Sequence, residues 1–365
     1  MSSTLQQKFF QLIRYSLHPD APVPDIHSEE EWRAIYDMAS KQCIVGILGR
    51  GMERMPQEQK PNQQLSLKWV GTTVYIQNHN LKAYHTIRKV KNHLEKDGWE
   101  CCILKGQSNA LIYPDGFYRS TGDIDVWVRR KGVAQSQEQR AAALIAYARL
   151  TQEHPKCSYH HVDYNPCDGI EVEMHYRPSF MFRFKHNRKL QQWMEAHADE
   201  QFTHLVEMPD GEGSIAIPTR QFNAVFQLSH LAHHFLHEGV GLRQLLDYYF
   251  QIRTDEHIEI PSDLGLDSFL SAVMYILQEV FGLEDKYLLI KPNAKLGKFV
   301  LNEIILGGNF GKYDKRILTD TKANAFTKNI QRTYRDLRTA LYFPSESLSE
   351  PVFRLWHYLW RMKHR

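Results

Sequence analysis

Hydrophobic positions along this chain recur at two spacings, and the places where the spacing changes mark its organisation. From Ser3 to Lys96 the period is helical: Leu5, Phe9, Ile13 and Leu17 recur at four-residue intervals, with Phe10 beside them. A proline-rich turn, Pro19 to Pro24, follows. Ser28-Glu-Glu-Glu31 then reads as a capping box, in which serine and glutamate satisfy each other's free backbone amides, opening a helix with Trp32, Ile35, Tyr36 and Met38 inward. A third helix over about Gln63 to Lys96 carries Leu67, Val70, Val74 and Ile76, then Leu81, Tyr84, Ile87, Val90 and Leu94. Asp97-Gly98 supplies its glycine stop.

At Trp99 the pattern shortens. ECCIL (100–104) reads as a buried strand running into Lys105-Gly106, and Gln107 to Tyr113 as a short helix stopped by Pro114-Asp-Gly116. Asp123 to Arg129 alternates, with Ile124, Val126 and Val128 on one face and Asp123, Asp125 and Trp127 on the other, as in a half-buried strand. Glu138 to Glu153 is a helix rich in Ala and Leu. Cys157 to Asp163 and Ile170 to Arg177 then form a predicted hairpin around the turn Asn165-Pro-Cys-Asp-Gly169. After Pro178 the helical period resumes and largely persists. The expectation is an α+β protein: an N-terminal helical region (1–98), a small mixed-sheet core (99–178) and a mainly helical C-terminal domain (179–365).

Composition narrows the function classes. The formal net charge is only +3, so the whole-protein field gives no strong argument for a polyanionic partner. Five cysteines, at 43, 101, 102, 157 and 167, form no Cys-x-x-Cys pair, and their odd number argues against a disulfide framework. No secretory leader pattern opens the chain and no run of 18 apolar residues occurs, so a cytoplasmic protein without a membrane span is expected.

The acidic strand carries the candidate chemistry. Asp123 and Asp125 leave the same strand face with Cα atoms roughly 7 Å apart. Two carboxylates that close repel unless a cation lies between them, an arrangement suited to holding Mg²⁺ (or Mn²⁺) against a nucleoside triphosphate. Phosphoryl-transfer sites of this kind need a third carboxylate. The strand Ile170 to Arg177 offers Glu173, with Glu171 in reserve and His175 on the same face. Lys105-Gly106 supplies a glycine turn where backbone amides approach a phosphate; Ser108 offers a hydroxyl, and Arg119 a guanidinium clamp. Solvated carboxylates and ordinary surface cations are the bland alternative for each.

ILKGQSNALIYPDGFYRSTGDIDVWV (103–128) resembles the signature of the uncharacterised nucleotidyltransferase family within the DNA polymerase β superfamily. VEMHYRP (172–178) is similar to that family's later strand, and HLAHHFLHEGVGLRQLLDYY (230–249) to its histidine-rich helical segment. The resemblance implies a polymerase β-like core in which Asp123 and Asp125 bind metal, Glu173 is the third carboxylate and Gly106 marks the phosphate turn. It implies transfer of a nucleotide, ATP among the candidate donors, to an acceptor that is a small molecule, a protein or RNA. Two departures from the wider superfamily stand out: Lys105-Gly106 replaces its Gly-Ser pair, with Ser108 two places late, and Glu173 replaces the commoner aspartate.

His230, His233, His234 and His237 fall within about 100° of one helical face. They read as core-edge histidines satisfied by polar neighbours such as Asp247, as substrate-binding residues facing the cleft, or as a separate zinc site. Arg243 and Asp247, one turn apart, join the substrate-side candidates or form a plain helix pair. Val352 to Arg365 interleaves aromatics with basic residues and reads as a closing helix docked by its aromatics. Two rival functions remain: a catalytically inactive nucleotide-sensing or scaffold module of the same fold, and a histidine-based metal phosphohydrolase centred on His230 to His237.

Overall fold

The computed structural model describes residues 3–164, 170–316 and 325–364. The predicted turn at Asn165–Gly169 lies outside the described residues. The first helix, Ser3–Leu17, buries Phe9, Phe10, Leu12 and Ile13. The second, Glu29–Lys41, starts with the expected capping box between Ser28 and Glu31. A further helix, Val45–Arg54, was not marked by the hydrophobic pattern.

The 34-residue helix Gln63–Lys96 organises the molecule. Its first half buries Leu65, Trp69 and Ile76 in one hydrophobic core. Its second half buries Ala83, Tyr84, Ile87, Val90 and Leu94 in another. Leu67, Val70, Val74 and Leu81, read from the sequence as part of its apolar pattern, are exposed. The first core is shared by the N-terminal helices and the helices after residue 180, so the two predicted helical regions pack together in space. The second core lies under the sheet.

That sheet has four strands, β1 (Trp99–Ile103), β2 (Ile124–Arg130), β3 (His161–Tyr164) and β4 (Val172–His175), in the order β1-β2-β4-β3. β1 runs antiparallel to β2, β2 parallel to β4, and β4 antiparallel to β3, giving the mixed sheet and the hairpin expected from the sequence. β2 is not half-buried as its alternation suggested; Ile124 to Val128 are buried on both faces. Ile124, Val126 and Val128 enter the core shared with the long helix and with Gln137–Ala148. On the opposite face Trp127 stacks on Phe222, ring centroids 5.6 Å apart, so the helix Arg220–His237 covers the side that carries Asp125. A small hairpin, β5 (Leu205–Glu207) with β6 (Ser214–Ala216), packs nearby.

The helices Leu242–Ile252, Asp267–Phe281 and Ala294–Gly307 complete the first core. The last, Glu350–His364, docks as its aromatic pattern suggested: Phe353 stacks on Phe180 at 5.0 Å and Trp356 meets Tyr159 edge-on at 5.1 Å. No helix among the described residues is long and apolar enough to cross a membrane.

Candidate active site

The parallel pairing of β2 with β4 sets Asp125 opposite Glu173 and Trp127 opposite His175. Side chains at paired positions of adjacent strands leave the same face, so the two carboxylates converge because of register. One ligand atom each from Asp125, Glu173 and His175 lies within 4.8 Å of the others. Asp123, just before β2, stands outside this cluster and borders the adjoining cavity. Its carboxyl is pushed up chiefly by the charge of Asp125, an effect the Lys105 ammonium opposes.

Two cations of the chain answer the acidic pair. Lys105 Nζ lies 3.1 Å from Asp125 Oδ1, and His175 Nε2 lies 2.9 Å from the same oxygen. His175 Nε2 is also 3.4 Å from Glu173 Oε2, and His175 Nδ1 is 3.3 Å from the Arg177 carbonyl oxygen. Burial alone would strip the proton from this imidazole, but the bonds to Asp125 and Glu173 outweigh it and raise His175 to about 9. Both ring nitrogens therefore donate. Lys105 is likewise raised, because Asp125, Asp123 and Glu173 overcome its burial. Burial pushes the Glu173 carboxyl upward, yet His161, 3.0 Å away, and His175 hold it well below the usual carboxylate range.

One atom is left over. Asp125 is fully buried and its Oδ2 accepts no hydrogen bond from any described residue. A buried carboxylate oxygen without a donor is costly, because it has lost water and gained nothing. The two carboxylates, with an orphaned oxygen among them, fit a divalent cation, while protonated His175 stays their hydrogen-bond donor.

The glycine turn abuts this cluster. Gly106 has φ +74°, and a Cβ there would lie 3.2 Å from the carbonyl oxygen of Asp123, so the turn can approach the acidic strand this closely only as glycine. The helix it opens is shorter than predicted, Gln107–Ala110 rather than Gln107 to Tyr113, so little dipole is available. Any phosphate contact therefore rests on the turn and on Lys105. Ser108 is buried with an unpartnered hydroxyl and does not line the cavity next to Gly106.

That cavity, narrow at about 40 Å³, is bordered by Lys105, Gly106, Asp123, His230, His234 and Arg243 among others. A wider cleft of about 430 Å³ lies on the Glu173 side, with His161, Asp163, Glu171 and Arg361 in its walls. Glu171, the reserve carboxylate, is exposed there, while its carbonyl accepts from the Ile124 amide at 2.9 Å.

The sequence candidates divide as follows. Arg119 reaches the cavity wall, but its guanidinium is buried and bidentate on Asp247, Nε to Oδ1 at 2.6 Å and Nη2 to Oδ2 at 2.7 Å. The donors offered to phosphate are thus already engaged. Asp247 partners neither the histidines nor Arg243; Arg243 Nη1 donates instead to the Ser120 carbonyl at 2.9 Å. The histidine helix splits. His230 Nε2 accepts from Lys105 Nζ at 3.0 Å and His234 also faces the cavity, paired with Glu238 at 2.5 Å. His233 packs among Phe180, Phe182 and His160. The described groups with metal-ligand spacing do not include this helix. Sequence reading missed His160 and His161, although a His-His pair antiparallel to Glu-x-His was a usable signal.

The sequence model of the uncharacterised nucleotidyltransferase family matches residues 28–282, well over half of the chain. No curated protein and no solved structure matches it. The matched stretch spans the glycine turn, the acidic strand, β4 and the histidine helix, and the chain accordingly belongs to the uncharacterised nucleotidyltransferase family.

Proposed function

We propose that this chain is a metal-dependent nucleotidyltransferase with a polymerase β-like core, moving a nucleoside monophosphate from a nucleoside triphosphate to an acceptor hydroxyl. The observation that carries this reading is the buried, orphaned Asp125 Oδ2, set in register with Glu173 beside the Gly106 turn. A divalent cation, Mg²⁺ or Mn²⁺, held by Asp125 and Glu173 with Asp123 beside them, would neutralise phosphate charge and acidify a neighbouring hydroxyl.

The chain's own groups divide the remaining work. Lys105 and Gly106 lie on the Asp123 side and receive the triphosphate. The wider cleft on the Glu173 side admits the acceptor. In the transfer, the acceptor oxygen bonds to the α-phosphorus, the bond from that phosphorus to the bridging oxygen breaks, and pyrophosphate leaves with the electron pair. Glu173, held ionised by His161 and His175, is better suited to binding a cation than to accepting the hydroxyl proton, which passes to solvent. Arg119 is held on Asp247 in the loop before β2 and Ser108 lies outside the cavity lining, so in this reading neither contacts phosphate.

Incubating the protein with labelled nucleoside triphosphates, Mg²⁺ or Mn²⁺ and a cell extract should release pyrophosphate and label one acceptor fraction. Asp125→Asn should reduce release by about a thousand-fold or more while circular dichroism stays unchanged. Wild-type release by that variant would remove the proposal.

A further inference from the structure

Outside the residues matched by the family, the segment Gly307-Gly-Asn-Phe-Gly311 reaches the same cavity. Phe310 adopts φ 55° and ψ 31°, between Gly308 and Gly311, which also have positive φ. For a bulky L-residue this conformation crowds Cβ against the following carbonyl and must be imposed by its surroundings.

The imposing contacts are visible. A Cβ at Gly311 would overlap the Glu238 carbonyl oxygen, one at Gly239 would lie 3.0 Å from the Gly311 amide nitrogen, and one at Gly241 would lie 3.0 Å from Asn309 Cα. Gln244 Nε2 donates to Asn309 Oδ1 at 2.9 Å. The turn between the helices Arg220–His237 and Leu242–Ile252 thus clamps this loop. A loop of small residues carries its largest side chain at its most strained position, and the result is an aromatic ring at the cavity edge. Strain of this kind concentrates at ligand sites.

A second, independent observation concerns Arg243. Its guanidinium centre lies 5.9 Å from the Phe310 ring centroid, and the residue is only 8% exposed. Nη1 is engaged by the Ser120 carbonyl, and Nε is buried with no partner among the described residues. The cavity is therefore lined by an aromatic ring and a guanidinium next to the Lys105, Gly106 and Asp123 side.

We infer that Phe310 is the stacking platform for the nucleobase of the donor nucleotide, with the Arg243 guanidinium, 5.9 Å from the ring centroid, backing that platform. This rests on the nucleotidyl-transfer reading and adds the residue that holds the base. A nucleobase is the part of a nucleoside triphosphate that offers a flat π face with lone pairs along its rim. Because the cavity itself is narrow, the base lies on the solvent-facing side of the Phe310 ring, at the mouth, while the phosphates run inward to Lys105.

The test compares two ligands, nucleoside triphosphate and inorganic tripolyphosphate, by equilibrium dialysis in Mg²⁺. Phe310→Gly accommodates the positive φ and removes the ring. It should weaken triphosphate-nucleotide binding about ten-fold or more, leave tripolyphosphate binding unchanged and leave the melting temperature undiminished; Phe310→Trp should restore nucleotide binding. Equal weakening of both ligands, or unchanged nucleotide binding by Phe310→Gly, would overturn the inference alone. Absence of nucleotide binding by the wild-type protein would remove the parent reading together with it.

Discussion

Asp247 and Asp125 are both buried carboxylates beside the same glycine turn and loop, yet they are finished differently. Asp247 receives four donors, two on each oxygen: Arg119 Nε and Tyr113 Oη, each at 2.6 Å, on Oδ1, and Arg119 Nη2 at 2.7 Å with Asn109 Nδ2 at 3.2 Å on Oδ2. Burial would raise its pKa, but Arg119 holds it below the ordinary value. Asp125 crowds two cations onto Oδ1 and leaves Oδ2 bare. The first carboxylate is completed when the chain folds. The second has an oxygen with no donor among the described residues, and under the proposed function a divalent cation completes it.

The largest effect expected from this contrast is on stability. Asp247→Ala strands the buried Arg119 guanidinium and should cost about 3–5 kcal/mol, measured by urea unfolding. Asp125→Asn should cost less, about 1–2 kcal/mol: it takes the charge from the Lys105 and His175 contacts at Oδ1 but keeps an acceptor there, the bare oxygen has no bond to lose, and Glu173 still faces both cations. Equal losses in the two variants would erase the distinction.

Lys105 sharpens the comparison from the other side. In the chain alone its ammonium fills the role of a counter-ion, 3.1 Å from Asp125, and repels any arriving divalent cation. Lys105→Met should tighten Mn²⁺ binding without nucleotide by about ten-fold, on the order of 1–2 kcal/mol at a protein-like effective dielectric, while nucleotide turnover falls. Calorimetry reads the first quantity and pyrophosphate release the second. Unchanged Mn²⁺ affinity would mean that Asp125 is not where the cation binds.

The same contrast explains what could be read from the sequence. Asp125 and Glu173 were legible because alternation along two short strands puts polar side chains on defined faces, and the parallel register then brings the faces together. The helix Gln63–Lys96 was legible at both ends because local chemistry marks them: Asn62 caps its start, its side chain accepting from the Leu65 amide, and Asp97-Gly98 ends it. Arg119 and Asp247 meet across 128 residues of sequence, and no local pattern encodes that. Nor does periodicity reveal the helix Val45–Arg54, whose three glycines disfavour it. It forms because the glycines permit close approach: a Cβ at Gly46 would overlap the Tyr118 carbonyl and one at Gly51 the Ser16 hydroxyl. Phe310 was illegible for a similar reason, since a positive φ imposed by neighbouring turns leaves no trace in hydrophobic spacing.

A third buried carboxylate tests whether the argument extends beyond the site. Asp336, on the helix Ala325–Ala340, faces Glu350 at the start of the last helix, with Arg354 3.4 Å away. Burial, then the neighbouring charge and hydrogen bond of Glu350, raise it to about 7 against the opposing pull of Arg354 and Arg335. Below that pH a proton, rather than a cation, completes it. Because the folded-state pKa lies above the unfolded one, the folded chain holds the extra proton between about pH 4 and pH 7, and stability falls as pH rises through that window. Asp336→Asn keeps the neutral form's hydrogen-bonding capacity and cannot ionise. Its melting temperature should match the wild type near pH 4 and exceed it at pH 8 by about 2–4 °C. A difference independent of pH would show that Asp336 is already ionised and paired, and the three-way division of buried carboxylates into paired, protonated and open would reduce to two.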